Sequence, residues 1–94
     1  MARVTVELPS LLAPLFREEQ EGRVPVEAET VAGALRALIE RHPGLRTHLF
    51  DETGSLRQHV LCFHNETNTR WGDALEAPLA DADRIRILQA VSGG

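Results

Sequence analysis

Polar and apolar side chains alternate with a period of two along Arg3-Val4-Thr5-Val6-Glu7-Leu8, which predicts a strand presenting Val4, Val6 and Leu8 on one face. Pro9 closes it. Leu11, Leu12, Leu15 and Phe16 then fall at rough helical spacing, but Pro14 interrupts them and residues 17–22 read as a charged turn. An irregular surface loop holding at most one helical turn is expected over 10–22. Alternation resumes from Arg23 to Glu27, with Val24 and Val26 on one side, so strand, loop and strand form a wide hairpin.

The period then changes. Thr30 is a candidate N-cap, its hydroxyl available to the free amides of a first helical turn. Val31, Ala34, Leu35, Leu38 and Ile39 follow as the apolar stripe of an amphipathic helix, which ends near His42 because Pro43 disfavours helical geometry before it. Leu45 to Phe50 reads as a connecting turn, and Asp51-Glu52-Thr53-Gly54 has turn chemistry. Leu56 to His64 predicts a central strand, with Val60 and Cys62 on one face and Leu61 and Phe63 on the other. A turn at Asn65-Glu66 leads into a short strand, Thr67 to Trp71. After a loop containing Gly72 and Pro78, a tight Asp81-Ala82-Asp83 turn enters the strand Arg84-Ile85-Arg86-Ile87-Leu88. Ile85 and Ile87 share one face of that strand, opposite Arg84 and Arg86. The order predicts an α+β domain, one helix laid on a mixed sheet, spanning 1–94 with residues 90–94 as a flexible tail.

A chain of 94 residues holds one small core. Its apolar runs are far shorter than the roughly 18 residues a membrane span requires, and Met1-Ala2-Arg3 enters the first strand without a secretory stretch. The single cysteine, Cys62, cannot form an intrachain disulfide. A cytoplasmic protein with no membrane partner is expected. The formal net charge of −4 argues against nucleic acid as the main ligand. All 10 basic residues are arginine, which excludes lysine Schiff-base and phosphate-loop chemistry.

Most constellations reduce to structure. Cys62 and His64 share a strand face, but a metal site needs three or four convergent ligands, so Cys62 is expected in the core and no metal is expected. Ser92 has no His–Asp partner in a fixed element, and Trp71 with Phe16, Phe50 and Phe63 is too scattered to stack bases. Asp73, Glu76, Asp81 and Asp83 read as solvated surface, or as an acidic group near the tail that meets a basic rim on a partner. Leu88 lies outward of Ile85 and Ile87 and is a candidate partner contact, with packing at the sheet edge as the equal alternative. The last residues, Val91-Ser92-Gly93-Gly94, end in two glycines, narrow enough to thread a channel and present a carboxylate to another protein's active site.

Several segments together resemble the MoaD/ThiS family of ubiquitin-like sulfur carriers. They are Val4-Thr5-Val6, Thr30-Val31, His42-Pro43-Gly44-Leu45-Arg46, Leu49 to Gly54, Leu56 to Asn65, Pro78 to Asp83, and Ile87-Leu88-Gln89-Ala90-Val91-Ser92-Gly93-Gly94. The resemblance covers nearly the whole chain, and the aspartate turn, strand and Val-Ser-Gly-Gly end are its most specific parts. This sequence departs from the pattern at Ala82, where glycine is common, at Gln89, where proline is common, and at Glu66, where glycine often follows the asparagine. The resemblance implies a β-grasp fold. It also implies that an E1-like adenylyltransferase of the MoeB/ThiF type consumes ATP to activate Gly94, with no cofactor bound to the chain itself. Sulfur then replaces a carboxylate oxygen, and the thiocarboxylate serves a sulfur-accepting synthase in a pathway such as molybdopterin, thiamin, cysteine or thiosugar formation. On this reading Gly94 is the reacting residue, Val91, Ser92 and Gly93 form the tail, and Leu88 contacts the partner. Two alternatives stay open: a ubiquitin-like modifier conjugated through Gly94, and a β-grasp interaction domain whose tail has no chemistry. In each, the chain is a carrier or a subunit rather than a self-sufficient enzyme.

Overall fold

The computed structural model describes residues 1–9, 22–70 and 73–89. The described chain runs β1 (Ala2–Glu7), β2 (Arg23–Ala28), α1 (Val31–Arg41), α2 (Arg46–Leu49), β3 (Val60–His64), β4 (Thr67–Asn68) and β5 (Arg84–Gln89). The predicted 10–22 loop and the residues Trp71 and Gly72 fall outside the described residues, apart from Gly22, which is buried with φ of 74°.

The strands form one sheet in the order β2-β1-β5-β3-β4. β1 and β2 pair antiparallel from Ala2↔Ala28 to Glu7↔Arg23, and β1 and β5 pair in parallel from Thr5↔Arg84 to Glu7↔Arg86. β3 runs antiparallel to β5, from Val60↔Gln89 to His64↔Ile85. The last described strand therefore lies at the centre of the sheet, between the first strand and β3. This mixed sheet with a helix across it is the ubiquitin-like β-grasp arrangement, as expected from the sequence.

α1 covers one face. Thr30 has extended geometry (φ −134°, ψ 165°), and its Oγ1 accepts from the Gly33 amide at 3.1 Å, a cap that contributes about 1 kcal/mol. Val31, Ala34, Leu35 and Leu38 are buried against Val4, Val6, Val24, Val60, Cys62, Ile85 and Ile87 in one cluster, whereas Ile39 is only partly buried. Each fully buried Leu or Val stabilises the domain by roughly 1.5–3 kcal/mol relative to exposure.

Two expectations need correction. The segment read as a connecting turn contains a 3₁₀ turn, Pro43–Leu45, and the short helix α2, which bury Leu45 and Leu49 completely. The central strand starts at Val60 rather than Leu56, because Leu56 bridges back to Phe50 and closes a separate loop. Asp51 organises that loop: its Oδ1 accepts from the Thr53 amide at 2.8 Å, the Thr53 hydroxyl at 2.6 Å and the Ser55 amide at 3.2 Å. Those bonds, the Thr53 hydroxyl first, hold the Asp51 carboxyl below its usual range. Gly54, with φ of 87°, supplies the left-handed geometry for the turn. The strand after Glu66 is likewise shorter than expected, comprising only Thr67–Asn68.

Arg70 fixes the entry to β3. Its Nη2 donates to the carbonyls of Arg57, Gln58 and Val60, each at 2.8 Å, so two hydrogens are shared among three acceptors. The Arg57 carbonyl also accepts from the Val60 amide at 2.9 Å, so Arg70 reinforces a turn that the backbone already closes.

Candidate functional site

The site is built around the end of β5. β5 is paired with β1 as far as Arg86 and with β3 as far as Gln89, the last described residue, so its final stretch of backbone is held from one side. Gly94, Gly93, Ser92 and Val91 lie outside the described residues.

α1 covers the face carrying Ile85 and Ile87, and no described helix lies across the other face of the sheet. There Leu88 is 38% exposed and stands directly across from Leu61, while Phe63 stands across from Arg86. Leu61 and Phe63 are partly buried, so Leu61, Phe63 and Leu88 form an apolar strip beside the point where the tail departs. Sequence reading singled out Leu88 and placed Leu61 and Phe63 on the correct face of β3. It did not join them, because the register that sets Leu61 opposite Leu88 links strands far apart in sequence. Glu7 borders the strip, with its carboxylate oxygens 3.8 Å from Arg84 Nε and 3.9 Å from Arg86 Nε. At those lengths and exposures the pairs contribute little stability and leave the arginines open to other anions.

The opposite end of β5 is closed. Asp83 accepts from the Ala80 amide at 3.0 Å, His64 Nε2 lies 2.8 Å from its Oδ2, and Asn65 Nδ2 donates at 3.2 Å. Those partners, the Ala80 amide first, hold the Asp83 carboxyl down at about 2. Asn65 Oδ1 in turn accepts from the Arg84 amide at 3.0 Å, and Asp81 Oδ1 accepts from the Arg3 amide at 2.9 Å. This corrects the reading of Asp81 and Asp83 as an acidic patch near the tail. They precede β5 at the end of the sheet remote from Gln89, and their carboxylates join three segments of backbone.

Cys62 is fully buried, and burial pushes its thiol up to about 11, so it is a poor nucleophile at neutral pH. Thr69 Oγ1 lies beside that thiol but makes no hydrogen bond of good geometry. His64 is engaged with Asp83, and no group of three or more His, Cys, Asp or Glu side chains gathers as for a metal among the described residues. No helix of the described chain is long and apolar enough to cross a membrane. What the described residues supply at the tail end is the last strand of the sheet and a partly exposed apolar surface beside it.

Comparison with known proteins agrees with this architecture. The sulfur carrier protein CysO of Mycobacterium tuberculosis is 29% identical over 93 residues, covering 97% of this chain and 98% of that protein. Small archaeal modifier protein 1 of Haloferax volcanii is 34% identical over 73 residues, covering 77% of this chain and 79% of the other. The crystal structure of the Amycolatopsis orientalis BexX/CysO complex contains a chain that superposes with a TM-score of 0.81 at 31% identity, covering 97% of this chain and 99% of that one. These relatives are small carrier and modifier proteins rather than catalysts. Residues 10–94 match the ThiS family, and the chain belongs to it.

Proposed function

We propose that this protein is a sulfur carrier whose working group is the carboxylate of Gly94. The observation that carries the proposal is that the central strand β5 ends at Gln89 beside the strip of Leu61, Phe63 and Leu88, with Val91-Ser92-Gly93-Gly94 following two residues on in the sequence. An activating enzyme seated on that strip holds a rigid platform. The five residues beyond Gln89 can then reach at most about 17 Å into its nucleotide site. Glycine at the last two positions removes the side chains that a narrow channel would reject.

The chemistry balances without a group from this chain's folded part. The Gly94 carboxylate oxygen attacks the α-phosphorus of ATP, pyrophosphate leaves, and an acyl-adenylate forms on the E1-like partner. Hydrosulfide then attacks the acyl carbon and displaces AMP, leaving a thiocarboxylate. The thiocarboxylate sulfur attacks an electrophilic carbon of an acceptor on a synthase and displaces its leaving group with the bonding electron pair. Water then cleaves the resulting thioester, releasing the acceptor as a thiol and returning the Gly94 carboxylate. The protein contributes reach, docking and the lack of a lysine amine or an accessible thiol that would compete for the activated carbonyl. It has no lysine, and its one thiol is buried.

A second reading, attachment of Gly94 to a target amine, is favoured by the similarity to small archaeal modifier protein 1. The intact mass of protein isolated from its host separates the two. A species heavier by one oxygen-for-sulfur exchange at the C-terminus supports the carrier. Amide-linked conjugates of higher mass, with no such species, favour the modifier and overturn the proposal.

A further inference from the structure

On the helix side of the sheet, remote from the Leu88 strip, α1 and the 50–56 loop wall an open groove of about 1000 Å³. Leu35, Ile39, Phe50, Leu56 and Leu75 give it an apolar lining. Leu75 is 37% exposed, and with Met1 and Leu88 it makes up the exposed large hydrophobic residues of the described chain. The open sheet face accounts for Leu88; nothing in the tail's chemistry accounts for Leu75. The wall is preformed: the Asp51 turn braces the loop, and Arg57 Nε donates to the Thr47 carbonyl at 2.8 Å. A groove that needs no ordering on binding loses less free energy when it is filled.

Charge indicates what fills it. Among the described residues that line the groove, Arg36, Arg46 and Arg70 stand against Glu40 alone, a local excess of positive charge on a chain whose net charge is −4. We propose that this groove is a second docking site, which takes a segment of a partner protein carrying an apolar anchor flanked by carboxylates. The anchor seats between Ile39, Phe50 and Leu75, and the carboxylates meet Arg36 and Arg46. Because α1 lies on the opposite face of the sheet from Leu88, a segment seated here leaves the Leu61–Leu88 strip uncovered. The carrier can then be held by one protein while its tail is worked on by another.

The test uses the full chain, isotopically labelled, titrated at low salt with an amidated peptide of sequence Asp-Glu-Leu-Phe-Glu-Asp. It requires no activation of the tail, so its outcome is independent of the proposed carrier function. Saturable shifts at Ile39, Phe50 and Leu56, with Leu61 and Leu88 unmoved, are expected, and added salt should weaken them. The exposed double variant Arg36→Glu/Arg46→Glu should bind about tenfold or more weakly while keeping its amide fingerprint elsewhere. Ile39→Ser should weaken binding without altering the salt response. The proposal is overturned by the absence of saturable binding or by shifts centred on Leu61 and Leu88. Equal affinity for the peptide with lysine at every acidic position, or a double variant within twofold of the parent, overturns it as well. So do shifts that grow with protein concentration alone, which would place a second copy in the groove.

Discussion

At its first residue β5 is held by side chains, and at its last it is held only by backbone. Arg84 enters the sheet through Asn65, Asp83 and the Asp81–Arg3 contact, a cluster in which every carboxylate has a defined partner. The pairing with β1 ends at Arg86, so Gln89 leaves the sheet beside Val60 of β3 alone, and Leu88 just before it turns an apolar side chain to solvent. The contrast separates two kinds of sequence constraint on one strand. The closed end answers to stability, since its polar groups satisfy one another. The open end leaves an apolar side chain 38% exposed, which on the proposed function is there for another protein.

The largest expected effect tests the open end. Deleting Gly94 should leave the melting temperature unchanged, yet shorten the chain by up to about 3.5 Å and misplace the carboxylate. Misplacement of even about 1 Å can cost on the order of a hundredfold in rate. Adenylation measured with a competent activating enzyme should therefore fall by at least that factor. Full activity from the shortened chain would remove Gly94 from the chemistry.

Leu88→Arg comes next. The variant should fold normally, because its side chain faces away from α1, while binding to the activating enzyme weakens by about 2 kcal/mol, roughly thirtyfold. Unfolding of this variant, detected by circular dichroism, would show that Leu88 belongs to the core and erase the difference between the two ends.

Asp83→Ala probes the closed end. Removing an acceptor that serves Ala80, His64 and Asn65 should lower stability by about 1.5 kcal/mol in denaturant titration, with adenylation kinetics unchanged in the folded fraction. The pH dependence has a definite sign. With the folded Asp83 carboxyl at about 2, below its unfolded value near 3.9, its contribution is complete above about pH 4. It is lost as pH falls from there through about 2. The alanine variant should lack that part of the acid sensitivity, and an unaltered acid profile would mean the cluster contributes nothing to stability.

Ala82→Gly is the smallest effect. Ala82 holds φ at 73°, a region costly for an L-residue with a β-carbon, and glycine relieves that strain while adding freedom to the unfolded chain. A net gain of about 0.5 kcal/mol is expected in thermal unfolding. A loss would show that the turn between Asp81 and Asp83 is not strained by its alanine.

Legibility in the sequence followed the range of the interactions. β1, β2, α1 and β5 announce themselves because their burial repeats every two or 3.6 residues, and Thr30 lies next to the amide it caps. Leu45 and Leu49 were hidden: a 3₁₀ turn and one short helix are too brief to show a period, although both side chains reach the core. Leu56 matched the alternation of β3 but belongs to the loop closed by Phe50 and Asp51. The aspartates of the turn before β5 were misplaced because their function depends on Arg3 and His64, contacts that local spacing does not encode. At the functional end the balance reverses. Val91-Ser92-Gly93-Gly94 could be read only from the sequence, whereas the strip that Leu61 makes with Leu88 required the register.

The central position of β5 also affects how the protein is made. A ribosome releases β1 first and β5 last, yet these two strands are partners, and Ile85 and Ile87 complete the core under α1. Until β5 has emerged, β1 and β3 each expose an unpaired edge and the helix has only part of its floor, so the nascent chain cannot settle early. A chain broken off before β5 is left without a stable fold, open to cellular proteases. Synthesis thus selects its own product: the molecules that survive have been translated through the strand that carries the tail.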